Sequence, residues 1–239
     1  MATKPGNDGT VLSCVVISVI VPVLNEEKIL RPALAELLRQ EGSFEVIVVD
    51  GGSTDGTAEA ACGIEGVRFI ATGPGRGAQM NAGARAAHGA VLLFLHIDTR
   101  LPARGLLAAQ AAVDGGLAAG AFRHRFEDAD WRLRLISAGH NLKCRLTRIY
   151  YGDHAIFVRR DVFERVGGFP EVPVLEDVIF CQRLRRHVRA ALLPQFVDTD
   201  PRRFLQHGVW RTTGRALLLL ARHALGMTPG DRRSWDEVR

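Results

Sequence analysis

Residues 15–27 read V-V-I-S-V-I-V-P-V-L-N-E-E, and residues 44–57 read F-E-V-I-V-V-D-G-G-S-T-D-G-T. Each opens on a short, continuous, β-branched apolar run, the pattern of a strand buried on both faces. Each then breaks into polar turn formers, and a helical stretch follows. Residues 26–40 place Ile29, Leu30, Ala33, Leu34, Leu37 and Leu38 at helical spacing, with Gly42 as the stop. A second helix is expected near 55–62. Working outward, Val67–Ala71 reads as a third strand, a Gly-rich segment leads into a helix near 77–88, and Ala90–Leu95 reads as a fourth strand. Alternation at this period implies βαβ units. The fold class expected is therefore α/β, a Rossmann-like, mostly parallel central sheet flanked by helices.

The pattern loosens after Pro102. A helix near 103–113, a strand near 117–126 and a helix over 131–149 come next. In the last of these, Trp131, Leu135, Ala138, Leu142, Leu146 and Ile149 form one stripe, read as core, with Arg132, Arg134, Lys143, Arg145 and Arg148 off it. A strand at 155–158, helices near 160–167 and 176–187, a strand near 189–193 and C-terminal helix from about 201 complete the chain. No repeat or linker is visible, so one domain over 14–239 is expected behind a disordered tail, 1–13. Trp210 is read as packing, and His154 and His207 as satisfied histidines.

Composition narrows the options. Of 239 residues, 47% are hydrophobic and 24% charged, ordinary globular usage that excludes disordered or collagen-like chains. Four scattered cysteines make neither a disulfide framework nor a Cys-x-x-Cys metal site, which suits a reduced, cytoplasmic protein. The net charge of +5 is uneven: residues 1–119 hold 9 basic against 12 acidic side chains, and 120–239 hold 22 against 14. Such a half suits a phosphorylated small molecule or an anionic surface. Nucleic acid is not expected, because aromatics do not interleave with the basic runs. The apolar stretches 11–23 and 216–221 fall short of a bilayer span, so membrane contact is expected to be peripheral at most.

Ligands of open parallel sheets bind beyond the carboxyl ends of the strands. Here strand one ends in Pro22-Val-Leu-Asn25-Glu26, strand two in Asp50-Gly51-Gly-Ser53, and strand four in His96-Ile-Asp98. Any one of these is ordinary turn or cap chemistry. Three on one edge point to a site. The chain carries no G-x-G-x-x-G after its first strand, no G-x-x-x-x-G-K-[ST] and no G-x-S-x-G. Carboxylates of this kind suit ribose hydroxyls, a base edge and a divalent cation bridging a diphosphate.

With V-I-V-P-V-L-N-E-E, V-V-D-G-G-S-T-D-G-T, G-R-G-A-Q-M-N-A-G, H-I-D and L-E-D-V in that order, the chain resembles family-two glycosyltransferases of the GT-A fold over about residues 15–195. Residues 151–171 are similar to a bacterial subgroup found alongside radical-enzyme genes for arsenosugar-type products. The resemblance implies an inverting hexosyltransferase moving sugar from a nucleoside diphosphate, UDP or another, to a hydroxyl of a small-molecule or lipid-linked acceptor, with Mn²⁺ or Mg²⁺. It implies donor contacts from Pro22, Asn25, Glu26, Asp50, Gly51, Ser53, Arg76, Gln79, Asn81, His96 and Asp98. Asp98 matches the last carboxylate of D-x-D and would hold the metal. His96 departs from the first, leaving a metal ligand or a ribose contact open. Asp177 matches the general base, supported by Glu176, with Asp153 the competing base. The helix N-terminus at Asp177 is expected to lower its pKa. The Q-x-x-R-W signature of processive members is only echoed in Gln206–Trp210. A catalytically impaired donor-binding protein and a polyprenyl-phosphate transferase are the alternatives.

Overall fold

The computed structural model describes residues 16–128 and 130–226, so the expected N-terminal tail lies outside the described residues. The elements run β1 (Ile17–Val23), α1 (Glu27–Leu37), β2 (Phe44–Asp50), α2 (Thr57–Ala61), β3 (Val67–Ala71), α3 (Arg76–Ala86) and β4 (Val91–Phe94). There follow β5 (Thr99–Arg100), α4 (Gly105–Asp114), β6 (Ala119–Phe126), α5 (Trp131–Thr147), β7 (Ile156–Arg159) and α6 (Arg160–Val166). The chain ends in α7 (Glu176–Leu184), β8 (Ala190–Thr199), α8 (Arg202–His207) and α9 (Val209–Ala224).

One eight-stranded sheet has the order β3-β2-β1-β4-β7-β6-β8-β5. The β3-β2-β1-β4 part is parallel throughout, as the alternation implies. Beyond β4 the sheet is mixed: β7 runs antiparallel to β4 and β6, and β5 to β8, while β6 and β8 are parallel. The sheet is mostly parallel, as expected, with short antiparallel ladders confined to its second half. Side chains of β1 alternate between two cores: Val19 and Val21 pack with Leu30, Leu34 and Leu106, whereas Ile20 packs with Met80, Phe163 and Phe180. Both faces are covered, which is why its sequence is continuously apolar.

Two expectations need correction here. Trp131, Leu135, Leu142 and Leu146 of α5 are 66%, 56%, 57% and 75% exposed, so the apolar stripe is not core. The buried residues of α5 are Leu133, Ser137 and Cys144. Polar contacts explain the orientation: Ser137 Oγ lies 3.4 Å from His124 Nδ1, and Asn141 exchanges two hydrogen bonds with the His124 main chain at 2.7 and 2.8 Å. Trp210 is likewise not buried packing; it is 53% exposed, edge-on to Trp131 at 6.4 Å between ring centroids. The last strand is longer than expected, and the two-residue β5 and a 3₁₀ turn at Gly152–His154 carry no sequence pattern of their own.

Candidate functional site

In the order 3-2-1-4 the crevice opens where connections diverge from β1, between its carboxyl end and that of β4. Val23 and Asp50 stand in register at the ends of β1 and β2. Gln79 of α3 donates both amide hydrogens inward, to the carbonyls of Val23 at 2.8 Å and Val49 at 2.9 Å. It braces the strand ends from beneath. Asn81 is also a brace: its amide pairs with both the N–H and the carbonyl of Phe169 at 2.9 Å. Pro22 is buried within β1, past the last β1–β4 pair, where no ladder N–H is required.

Asp50 is 5% exposed and shapes the turn after β2, accepting from the N–H groups of Gly52 and Ser53 at 3.1 and 3.0 Å and from the Ser53 hydroxyl. Ser53 Oγ in turn accepts the Asn25 N–H at 2.9 Å, and Asn25 Oδ1 accepts the Thr54 N–H at 2.8 Å. Asn25, Gly51, Ser53 and Asp50 therefore form one interlocked floor across β1 and β2. Glu26 carries the edge further: its carboxylate is held by Arg202 at 2.8 Å and Arg203 at 3.1 Å, both from α8. These arginines follow no motif, and the sequence reading missed them.

The opposite wall joins three motifs. Gly152 lies so close to His96 that a Cβ there would sit 2.2 Å from the imidazole, so only glycine allows the 152–154 turn to rest on H-x-D. The Gly152 N–H donates to Asp177 Oδ2 at 2.8 Å, and the Val178 N–H to Asp177 Oδ1 at 2.7 Å. Arg76, at the start of α3, approaches Glu176 Oε1 at 3.6 Å. A Cβ on Gly77 would strike the Pro170 carbonyl at 2.3 Å, which keeps α3 tight against the segment leading to α7.

Electrostatics separate the two candidate bases. Burial, together with the neighbouring Glu176 charge, pushes the Asp177 carboxyl up to about 7, against the Gly152 hydrogen bond and Arg76. This reverses the expected direction: desolvation outweighs the α7 N-terminus. Asp153 goes the other way. Burial alone raises it, but His124, His140, His154 and His96 hold it well below the usual carboxylate range. It lies 3.5 Å from His124 Nε2 and 4.0 Å from His140 Nδ1. A carboxylate so stabilised is a poor proton acceptor near neutral pH.

Asp98 and His96, both half-buried at the end of β4, are the side chains of this edge whose chemistry could hold a divalent cation, and no arginine or lysine forms a salt bridge with Asp98 among the described residues.

The glycosyl transferase family 2 pattern matches residues 18–167. A PGL/p-HBAD biosynthesis glycosyltransferase of Mycobacterium bovis is 34% identical over 164 residues, 64% of this chain and 62% of that protein. An undecaprenyl-phosphate 4-deoxy-4-formamido-L-arabinose transferase of Aeromonas hydrophila is 23% identical, covering 80% of this chain and 58% of that protein. The chain spans about three fifths of the length of the relatives it matches. A mannosyltransferase of Pyrobaculum calidifontis, solved with GDP-Man and Mn²⁺, superposes with a TM-score of 0.67 at 22% identity, over 93% of this chain and 67% of that one. TarS of S. aureus with UDP-GlcNAc gives 0.61 at 21% identity, over 77% and 58%. These two likenesses establish the fold, a GT-A-like α/β architecture.

Proposed function

The chain belongs to glycosyl transferase family 2, and from that premise we propose that it is an inverting enzyme transferring a hexosyl group from a nucleoside diphosphate to an acceptor hydroxyl. The observation that carries the reading is Asp177, pinned by the Gly152 N–H beside H-x-D with its ionisation moved to about 7. A base tuned there is about half ionised at neutral pH and basic enough to take a hydroxyl proton. Single displacement at the anomeric carbon needs one such base and a stabilised leaving group, with no covalent intermediate. Asp98 and His96 would hold Mn²⁺ or Mg²⁺, which supplies positive charge to the departing diphosphate. Arg202 and Arg203 bring two more charges to the same edge, and the Asp50–Ser53 floor offers the surface on which a ribose would lie. The tuned base weighs against the alternative of a donor-binding protein without catalysis.

Asp177→Asn preserves volume and can keep the Gly152 contact but cannot accept the proton. Turnover falls by at least ~10²-fold while donor affinity, measured by calorimetry with Mn²⁺, stays within about twofold. Near wild-type turnover in Asp177→Asn, with Asp153→Asn inactive, transfers the role to Asp153.

A lipid-linked acceptor is the second reading, favoured by the exposed face of α5 and α9. Leu142, Leu146, Leu217 and Leu218 are 57–75% exposed there, and Arg134, Arg145, Arg211 and Arg222 are exposed on the same two helices. A helix pair of this kind suits an anionic membrane surface. No helix among the described residues is long and apolar enough to cross a membrane. The name of the Aeromonas relative, an undecaprenyl-phosphate 4-deoxy-4-formamido-L-arabinose transferase, agrees with such an acceptor.

A further inference from the structure

Behind the Gly152 turn, β6, α5 and the turn itself point imidazoles at one carboxylate. His124 is 0% exposed, its Nε2 faces Asp153, and neither that nitrogen nor Asp153 Oδ1 has a hydrogen-bond partner. Orphaned polar atoms of this kind are costly in a protein interior. One donor atom from each of His124, His140 and Asp153 falls within 4.8 Å of the others. His154 Nε2 lies 3.9 Å from Asp153 Oδ1, and its Nδ1 sits 2.8 Å from the buried Phe122 carbonyl. A carbonyl only accepts, so that contact places the proton on Nδ1, and Nε2 accepts from the Cys144 thiol at 3.4 Å, which holds the His154 ring beside the cluster. No lysine or arginine pairs with Asp153 among the described residues, and its side-chain neighbours are the imidazoles of His124, His140 and His154.

We propose that His124, His140 and Asp153 bind a transition-metal ion of the Zn²⁺ class, with a water as the remaining ligand. Zn²⁺ takes imidazole and carboxylate ligands tetrahedrally at about 2.0–2.2 Å, which puts donors about 3.3–3.5 Å apart. His124 Nε2 and His140 Nδ1 lie 3.5 and 4.0 Å from the same oxygen, Asp153 Oδ2, so the three donors need only a small contraction. Two nitrogens and one oxygen also distinguish this set from the Asp98 edge, whose chemistry suits Mn²⁺ or Mg²⁺ with a diphosphate. The ion satisfies the orphaned His124 Nε2 and ties α5 and β6 to the turn whose Gly152 N–H holds Asp177. It acts as a positioning element for the base, and the assignment does not depend on which sugar or acceptor is used.

The probe is Co²⁺ added to the chelator-treated full chain without nucleotide, read by visible absorption and by metal content after desalting. Tetrahedral coordination gives intense d–d bands at about one ion per chain, retained in Asp98→Ala. In His140→Gln the bands vanish and affinity falls at least about 10²-fold, since even outer partners of metal ligands are worth 10–100-fold. His140→Cys keeps a ligand at the position and adds a thiolate–Co²⁺ charge-transfer band, so the assignment stays testable if the glutamine variant does not fold. A folded wild-type protein that binds no Co²⁺ overturns the proposal. So does an ion lost in Asp98→Ala yet kept in His140→Gln.

Discussion

In α1, Leu30, Leu34 and Leu37 are 0%, 0% and 6% exposed; in α5, Trp131, Leu135, Leu142 and Leu146 follow the same kind of spacing and are 56–75% exposed. The first helix crosses a parallel sheet whose face is wholly apolar, so its leucines have one place to go. The second lies over polar partners. Its inward face is Leu133, Ser137, Asn141 and Cys144, and three of these four contact His124 or His154. Helical periodicity reports that a stripe exists; what lies opposite decides whether it is buried. The two halves of the sheet differ in the same sense. Site residues of the first half are fixed by hydrogen bonds to main chain, whereas Asp177 and Asp153 of the second are set by buried charges.

The largest expected effect tests the packing side of this contrast. Leu34→Ala removes a fully buried side chain from the core against β1 and costs about 2–5 kcal/mol, depending on how far the cavity collapses. Denaturant unfolding of that variant beside Leu142→Ala checks it. Equal losses for the two leucines would mean that α5 is covered as α1 is, and the comparison would fail.

An intermediate effect tests the electrostatic side, through the Arg76–Glu176 ion pair, which joins α3 of the first half to the Glu176–Asp177 motif. Because Asp177 must be ionised to act, kcat/KM rises with pH through an acid limb near 7. Arg76 lowers that carboxyl and Glu176 raises it. Arg76→Gln therefore moves the limb to higher pH, and Glu176→Gln moves it to lower pH. Stability carries the matching sign. A carboxyl raised in the folded state binds a proton there that the unfolded chain has released, so stability falls as pH climbs from about 4 toward 7. Limbs unmoved by both variants would assign the titration to another group.

How much was legible follows from the same contrast. The strand ends at Asp50 and Asp98 and the Glu176–Asp177 pair stand out because their residue types interrupt apolar runs. Gln79 and Asn81 sit in a motif too, yet their amides point at main chain, which no residue type reveals. Arg202, Arg203, His124 and His140 were missed because they are brought to the site by α8, β6 and α5, across more than a hundred residues for the arginines and across a mixed sheet for the histidines. The direction of the Asp177 shift was misread because sequence shows the helix start but not the depth of burial.

The smallest effect on stability is the most informative about α5. Leu146 is 75% exposed at the end of the helix, next to the exposed Arg145 and Arg148. Removing an exposed apolar side chain changes folding stability by no more than about 0.5 kcal/mol. If the stripe meets an anionic bilayer, however, the same leucine contributes apolar area at the interface while the arginines supply attraction that salt screens. Leu142→Ser/Leu146→Ser is therefore expected to unfold at the wild-type denaturant midpoint, within that margin, yet to co-sediment less with phosphatidylserine-containing vesicles. Wild-type binding should fall as ionic strength rises and be weaker on purely zwitterionic vesicles. A wild-type chain that ignores both kinds of vesicle removes the support this face lends to a lipid-linked acceptor. A double variant destabilised by 2 kcal/mol or more would show instead that protein covers the stripe, and α5 would then bury its apolar residues as α1 does.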